Sequence, residues 1–250
     1  MSPIEEAGIA FGLILASAAA GAFLRLKLPE HHLTGDSKDV IKLAVALIAT
    51  MSALVLALLF SSTRSSYERT SGLVSRMTVD IVQLDRLLGE YGPEARPARL
   101  ALRSKVDSLI DSIWQEEAAA LGAPSKEASH SDSVLYMLRG LEPSTKVQAS
   151  LQAHALQVST DLEQTQVTLL SQPTDSISKT FIIVLVLWLM FIFAVFSMSS
   201  APNPTLFVVL FLCAVSASAA IYLILELGLP FGGLMVVPNS GLRGALAPLS

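Results

Sequence analysis

Polar and apolar residues in this chain segregate over tens of positions. No charged residue occurs between Lys179 and Glu226, and the only break in that apolar stretch is Ala201-Pro202-Asn203-Pro204. Each half runs roughly 20 residues, enough to cross a hydrocarbon layer of about 30 Å, so the stretch predicts a membrane hairpin. The N-terminal third repeats the pattern. Ala7 to Leu24 is apolar and closes at Arg25 and Lys27; Leu43 to Phe60 opens after Lys38 and Lys42 and ends at Arg64. Lysines and arginines at such boundaries can reach the interface, so four spans are expected. A cleaved signal peptide is the alternative for the first run, but Glu5 and Glu6 stand where a basic leader is expected.

Between the second and third spans the apolar positions recur at helical spacing. Leu73, Met77, Ile81, Leu84 and Leu88 form one stripe, which stops where Gly89, Gly92 and Pro93 oppose a helix. Nothing breaks the chain between Phe60 and Leu73, so the second span is expected to continue as one long helix. A second helix is predicted from Pro97 to Ala120, with Val106, Leu109, Ile110, Ile113 and Trp114 on its apolar face. After a loop at Gly122 to Asp132, a short helix is predicted over Ser133 to Leu141. A last helix is predicted over Ser144 to Ser171, with Val147, Leu151, Val158, Leu162 and Leu169 on one side. The expected fold is an all-α polytopic membrane protein with four transmembrane helices and a helical extramembrane insert. Its parts are a first helix pair (1–62), the insert (63–178), a second pair (179–226) and a C-terminal turn with a short amphipathic segment (227–250).

Composition changes this picture little: 52% hydrophobic, 15% charged, a mean hydropathy of +0.58 and a net charge of -4 argue for membrane lipid as a partner. Without a basic block, nucleic acid is not an expected partner. Cys213 is the sole cysteine, which excludes an intrachain disulfide, and it reads as a small filler. None of His31, His32, His130 and His154 has the spacing of a metal site or a general base, and there is no nucleophile elbow, P-loop or dinucleotide fingerprint. No catalytic residue, metal or cofactor is expected, and the chain does not read as an enzyme. Gly8, Gly12, Ala16 and Ala20 recur every fourth residue of the first span, and Cys213 to Ala220 of the fourth span is similarly small. Such stripes admit close helix packing, within one subunit or between subunits.

The densest polar cluster lies where the second span ends, at Phe60-Ser61-Ser62-Thr63-Arg64-Ser65-Ser66-Tyr67-Glu68-Arg69. On a continuing helix Phe60, Arg64 and Tyr67 share one face, and Glu68 lies one turn from Arg64, within pairing reach. Around a symmetric axis such residues would form an anion-attracting vestibule; on a lone helix they would form an interfacial anchor belt with an ion pair.

The order span, span, helical insert, span, span, tail resembles the bestrophin channels. It more closely resembles the bestrophin-like family of bacterial membrane proteins, on Phe60-Ser61, Tyr67-Glu68, Glu226, Pro230-Phe231-Gly232-Gly233 and the segment Ser240 to Leu249. Within that motif Glu226, Pro230, Phe231 and Gly233 are the marks carried over. Thr70 and Ser71 stand where true bacterial bestrophins have paired tryptophans, and no calcium-binding acidic cluster is present, so calcium gating is not carried over. The resemblance implies a homo-oligomer, five copies under bestrophin symmetry, conducting ions along the second span. Thr50, Ser52, Phe60, Ser61, Arg64, Tyr67 and Glu68 are the pore or vestibule candidates. It also favours a bacterial inner-membrane location with the insert cytoplasmic, an orientation the nearly balanced positive charges do not decide. The alternative is a non-conducting subunit or scaffold whose insert binds a partner in a larger membrane complex.

Overall fold

A computed structural model describes residues 2–27, 36–119, 131–171, 179–199, 203–232 and 236–246. Its helices are α1 (Pro3–Lys27), α2 (Asp36–Tyr91), α3 (Arg96–Ala119), α4 (Ser131–Arg139), α5 (Lys146–Leu170), α6 (Lys179–Ser199), α7 (Pro204–Leu227) and α8 (Ser240–Leu246). The described residues contain no strand, and α1, α2, α6 and α7 are each long and apolar enough to cross a membrane. The protein is all-α, with the four spanning-length helices its hydrophobic pattern predicts. The helices divide between two compact units, Met1–Ser66 with Asp175–Gly228, and Tyr67–Thr174 with Leu229–Ser250.

In the first unit α1 lies between α6 and α7. Gly21 of α1 meets the backbone of Ala194 in α6 so closely that a Cβ built on the glycine would stand 2.2 Å from the Ala194 carbonyl oxygen. Four residues on, Arg25 donates to the Met198 carbonyl at 3.3 Å, so α1 and α6 run parallel and a cation sits at the C-terminal end of α6. Against α7 the register reverses: the Ser218 hydroxyl donates to the Ala7 carbonyl at 2.8 Å, and Phe11 meets Phe211 edge-on. Ile14, Ala18, Phe193, Leu210 and Ala214 fill the space between the three helices. The predicted small stripe of α1 is not the stripe used here. Gly8, Gly12, Ala16 and Ala20 are all exposed, and the packed face is Ala7, Ala10, Ile14, Ser17, Ala18 and Gly21.

The second unit is a helical bundle. Met77, Ile81, Leu84 and Leu88 of α2 pack with Leu102, Val106, Leu109 and Ile110 of α3 and with Val158, Leu162 and Leu169 of α5. Leu73 is only partly buried, and Val147, expected on the core side, is 69% exposed in the first turn of α5. The side chain of Ile113 and the loop from Gly122 to His130 lie outside the described residues. Helix α2 passes through Gly89 and ends at Tyr91, because Gly92 adopts φ 125°, which glycine alone reaches without strain. Thr145 then caps α5 by accepting from the Gln148 N–H.

Polar ties join the helices of this bundle. Arg99 of α3 grips Asp85 of α2 through two bonds, at 2.7 and 3.1 Å, and these hold its guanidinium above the usual arginine range. Lys105 of α3, 3% exposed, lies 3.4 Å from Glu163 of α5. The segment after Gly228 belongs to the same unit. Val237, Leu242 and Ala245 are buried in its core, and the Trp114 indole donates to the Val237 carbonyl at 3.1 Å.

Candidate functional site

The polar cluster and the polar residues upstream of it lie on α2, whose contacts sort its faces. Val45, Ser52 and Leu59 recur every seventh residue and are buried in the first unit, where Val45 packs with Ile192 and Val195 and Leu59 with Leu185 and Val186. At 3.6 residues per turn the opposite side carries Leu43, Leu47, Thr50, Leu54 and Ser61. All five are exposed, the leucines by 62 to 72%. Only 17% of the apolar stretch of α2 is buried, against 33% in α6.

This geometry separates the candidates. Thr50 is exposed and donates to the Leu47 carbonyl at 2.7 Å, leaving its oxygen lone pairs on the uncovered side. Ser52 is turned the other way, 5% exposed, and bonds the Ile48 carbonyl at 2.8 Å; it does not join Thr50 on one face. Phe60, at 42%, and Arg64 are exposed on the flank, Ser61 and Glu68 on the uncovered side. Tyr67 packs partly buried against the bundle core of the second unit. Thr63, not singled out from sequence, is buried and bonds the Leu59 carbonyl at 2.8 Å.

The C-terminal motif divides between the two units. Glu226, 3% exposed, lies in the last turn of α7, which Gly228 closes through bonds to the Ile224 and Leu225 carbonyls. In the second unit Phe231 meets the Trp114 ring edge-on at 5.3 Å, and Pro230 accepts from the Val237 N–H at 2.8 Å. Pro230 and Phe231 thus fasten the tail to the bundle. Gly233 lies outside the described residues, as do His31, His32 and His130. His154 is exposed and shares a hydrogen bond with Gln83 at 3.1 Å. Among the described residues no three His, Cys, Asp or Glu converge as a metal site.

The model of the bestrophin-like domain matches residues 12–242, nearly the whole chain. The chain belongs to the bestrophin-like family. Its fold is also that of a solved structure, a bacterial bestrophin homologue from Klebsiella pneumoniae carrying a tryptophan-to-alanine mutation. The likeness has a TM-score of 0.70 at 15% identity and covers 100% of this chain and 98% of the other. No curated protein matches. Membership of the bestrophin-like family, with four helices of spanning length, makes this an integral membrane protein. The family reading was legible in the sequence. The close approach at Gly21, the Asp85–Arg99 fork and the buried Lys105 were not, since each depends on partners distant in the chain.

Proposed function

We propose that this bestrophin-like protein is an oligomeric ion channel whose conduction path runs along α2. The observation that carries the proposal is the unequal covering of that helix. Its own subunit uses one narrow stripe, Val45, Ser52 and Leu59, and leaves uncovered a face with hydroxyls at Thr50 and Ser61. In a ring of copies that face would point to the axis. Leu47 and Leu54 would narrow the path and exclude water when it is closed, with Thr50 between them and Ser61 beyond Leu54 giving a passing ion polar contact. Arg64, exposed within the cluster, would draw anions toward the mouth. In this reading Ser52 serves packing and Tyr67 anchors the helix to the bundle. The insert is assigned to the cytoplasm of a bacterial inner membrane, with lipid and further copies of the chain as partners.

The alternative is a non-conducting subunit whose insert docks a partner. It draws on apolar groups at the bundle surface: Leu100 is 61% exposed, Tyr136 79% and Val147 69%. Purified protein in planar bilayers separates the two. A current that Leu54→Ser enlarges and Arg64→Glu makes less anion-selective supports the channel. A protein that is monomeric in mild detergent and passes no current refutes it and leaves the docking role.

A further inference from the structure

Helix α2 leaves most of its apolar stretch uncovered, and the uncovered part is not uniform. With the line through Val45, Ser52 and Leu59 as the covered side, about 100° of rotation per residue places Met51 and Leu58 on one flank, with Leu47 at its inner edge. Ala46, Ala53 and Ala57 fall on the opposite flank, and Thr50, Leu54 and Ser61 lie between the two. All six flank residues are exposed, Leu47 by 62%, Met51 by 48% and Leu58 by 70%. One flank therefore presents three long side chains and the other three methyl groups. Lipid chains fit either kind of surface. A second helix uses the difference, because small residues let a backbone approach and long ones fill the space that remains.

Height along the helix points to the partner. Copies related by rotation about an axis roughly parallel to α2 meet at equal heights, since the rotation moves nothing along the axis. At 1.5 Å per residue, the pairs Ala46/Leu47, Ala53/Met51 and Ala57/Leu58 differ in height by only about 1.5–3 Å. Each long side chain thus has an alanine at its own level on the other flank. Within one copy the two flanks point apart and cannot meet; between neighbouring copies they can. We infer that α2 mates with α2 of the next copy, Leu47, Met51 and Leu58 of one seated over Ala46, Ala53 and Ala57 of the other. Such a contact is heterologous, so it repeats around the axis and closes a ring, with Thr50, Leu54 and Ser61 facing inward. A single copy supplies one wall of that path, and the path is incomplete without its neighbours. The inference rests on the channel reading in taking copies of α2 to surround one axis, and adds the contact that holds them there.

Disulfide trapping tests it, because Cys213 is the sole cysteine and Cys213→Ala leaves a blank background. Full-length protein carrying Met51→Cys with Ala53→Cys, oxidised in its membrane with copper phenanthroline, should give a ladder of dimers and higher oligomers on a non-reducing gel. The two positions point apart within one chain, so an internal disulfide cannot form. Neither single variant should cross-link, since like residues of neighbouring copies lie on opposite flanks. Ala53→Met should shift the detergent-solubilised protein toward monomer in light scattering. Ala53→Met with Met51→Ala should restore the oligomer, since it exchanges knob and hole at constant volume. Cross-linking by either single variant, which a two-fold contact would give, or a paired variant that stays monomeric on the gel overturns the inference. A ladder from a protein that passes no current in planar bilayers keeps the contact and removes the channel, so the two readings fail separately.

Discussion

Replacing Gly21 by alanine adds a single methyl group at the tightest point of the span packing. That methyl would stand 2.2 Å from the Ala194 carbonyl oxygen, 2.9 Å from its carbon and 3.0 Å from its Cα. All three are backbone atoms of a regular helix, so no side-chain rotation relieves the clash. Restoring ordinary contact at about 3.4 Å or more requires α1 and α6 to separate by roughly 1 Å, and overpacking of this kind costs about 1–3 kcal/mol. The separation also stretches the 3.3 Å bond from Arg25 to the Met198 carbonyl. Gly12→Ala on the same helix is the control, since nothing lies within 4 Å of its added Cβ. There the better helix propensity of alanine should leave stability unchanged or raised, by at most about 1 kcal/mol. Unfolding of the purified protein in mixed micelles by increasing SDS gives both values. Gly21→Ala should unfold at lower SDS fraction than wild type, and Gly21→Leu lower still. Equal midpoints for Gly21→Ala and Gly12→Ala would refute the assigned α1–α6 contact.

The remaining predictions concern the insert. Arg99→Ala should cost about 1.5–3 kcal/mol by removing two bonds to a nearly buried Asp85, and Arg99→Lys should recover only part, because a lysine cannot form the fork; thermal denaturation measures both. Lys105→Ala should cost about 1–3 kcal/mol, since the Glu163 left behind is partly exposed, whereas Lys105→Met with Glu163→Gln should come close to wild type. Trp114→Phe keeps the ring contact with Phe231 but leaves the Val237 carbonyl without its donor, costing about 1–3 kcal/mol. Limited proteolysis should then release the segment after Gly228 faster than in wild type.

The spans and insert helices were legible because each is a local pattern: an uncharged run of spanning length, or apolar residues at helical spacing. The ends of α2 and α5 fell within a few residues of expectation, since Gly92 and Thr145 carry local signals. Which side of α1 is packed was not legible. Gly8, Gly12, Ala16 and Ala20 form the more regular small stripe, yet Gly21 takes the close contact, because the choice depends on the shape of α6 rather than on α1. The same holds for Thr50 and Ser52. As letters they are equivalent hydroxyls two residues apart, and only the partners of Val45 and Leu59 reveal that they point to opposite sides. Gln83 and His154 lie 71 positions apart in the sequence, and only the packing of α2 against α5 makes them neighbours.

The placement of α1 between α6 and α7 has a consequence for biogenesis. The first span leaves the ribosome with neither of its neighbours yet made. At about 5–20 residues per second, the roughly 150 residues between Lys27 and Lys179 take about 8–30 s to synthesise. Through that interval Ser17 and Gly21 face lipid or the insertion machinery. The bundle waits too, since Val237, Leu242 and Ala245 of its core follow all four spans in the chain. A nascent chain truncated at Gly228 would possess all four of these spans and still lack a closed insert, so quality-control proteases would distinguish it from a chain that extends through Ala245 by the exposed face of Trp114.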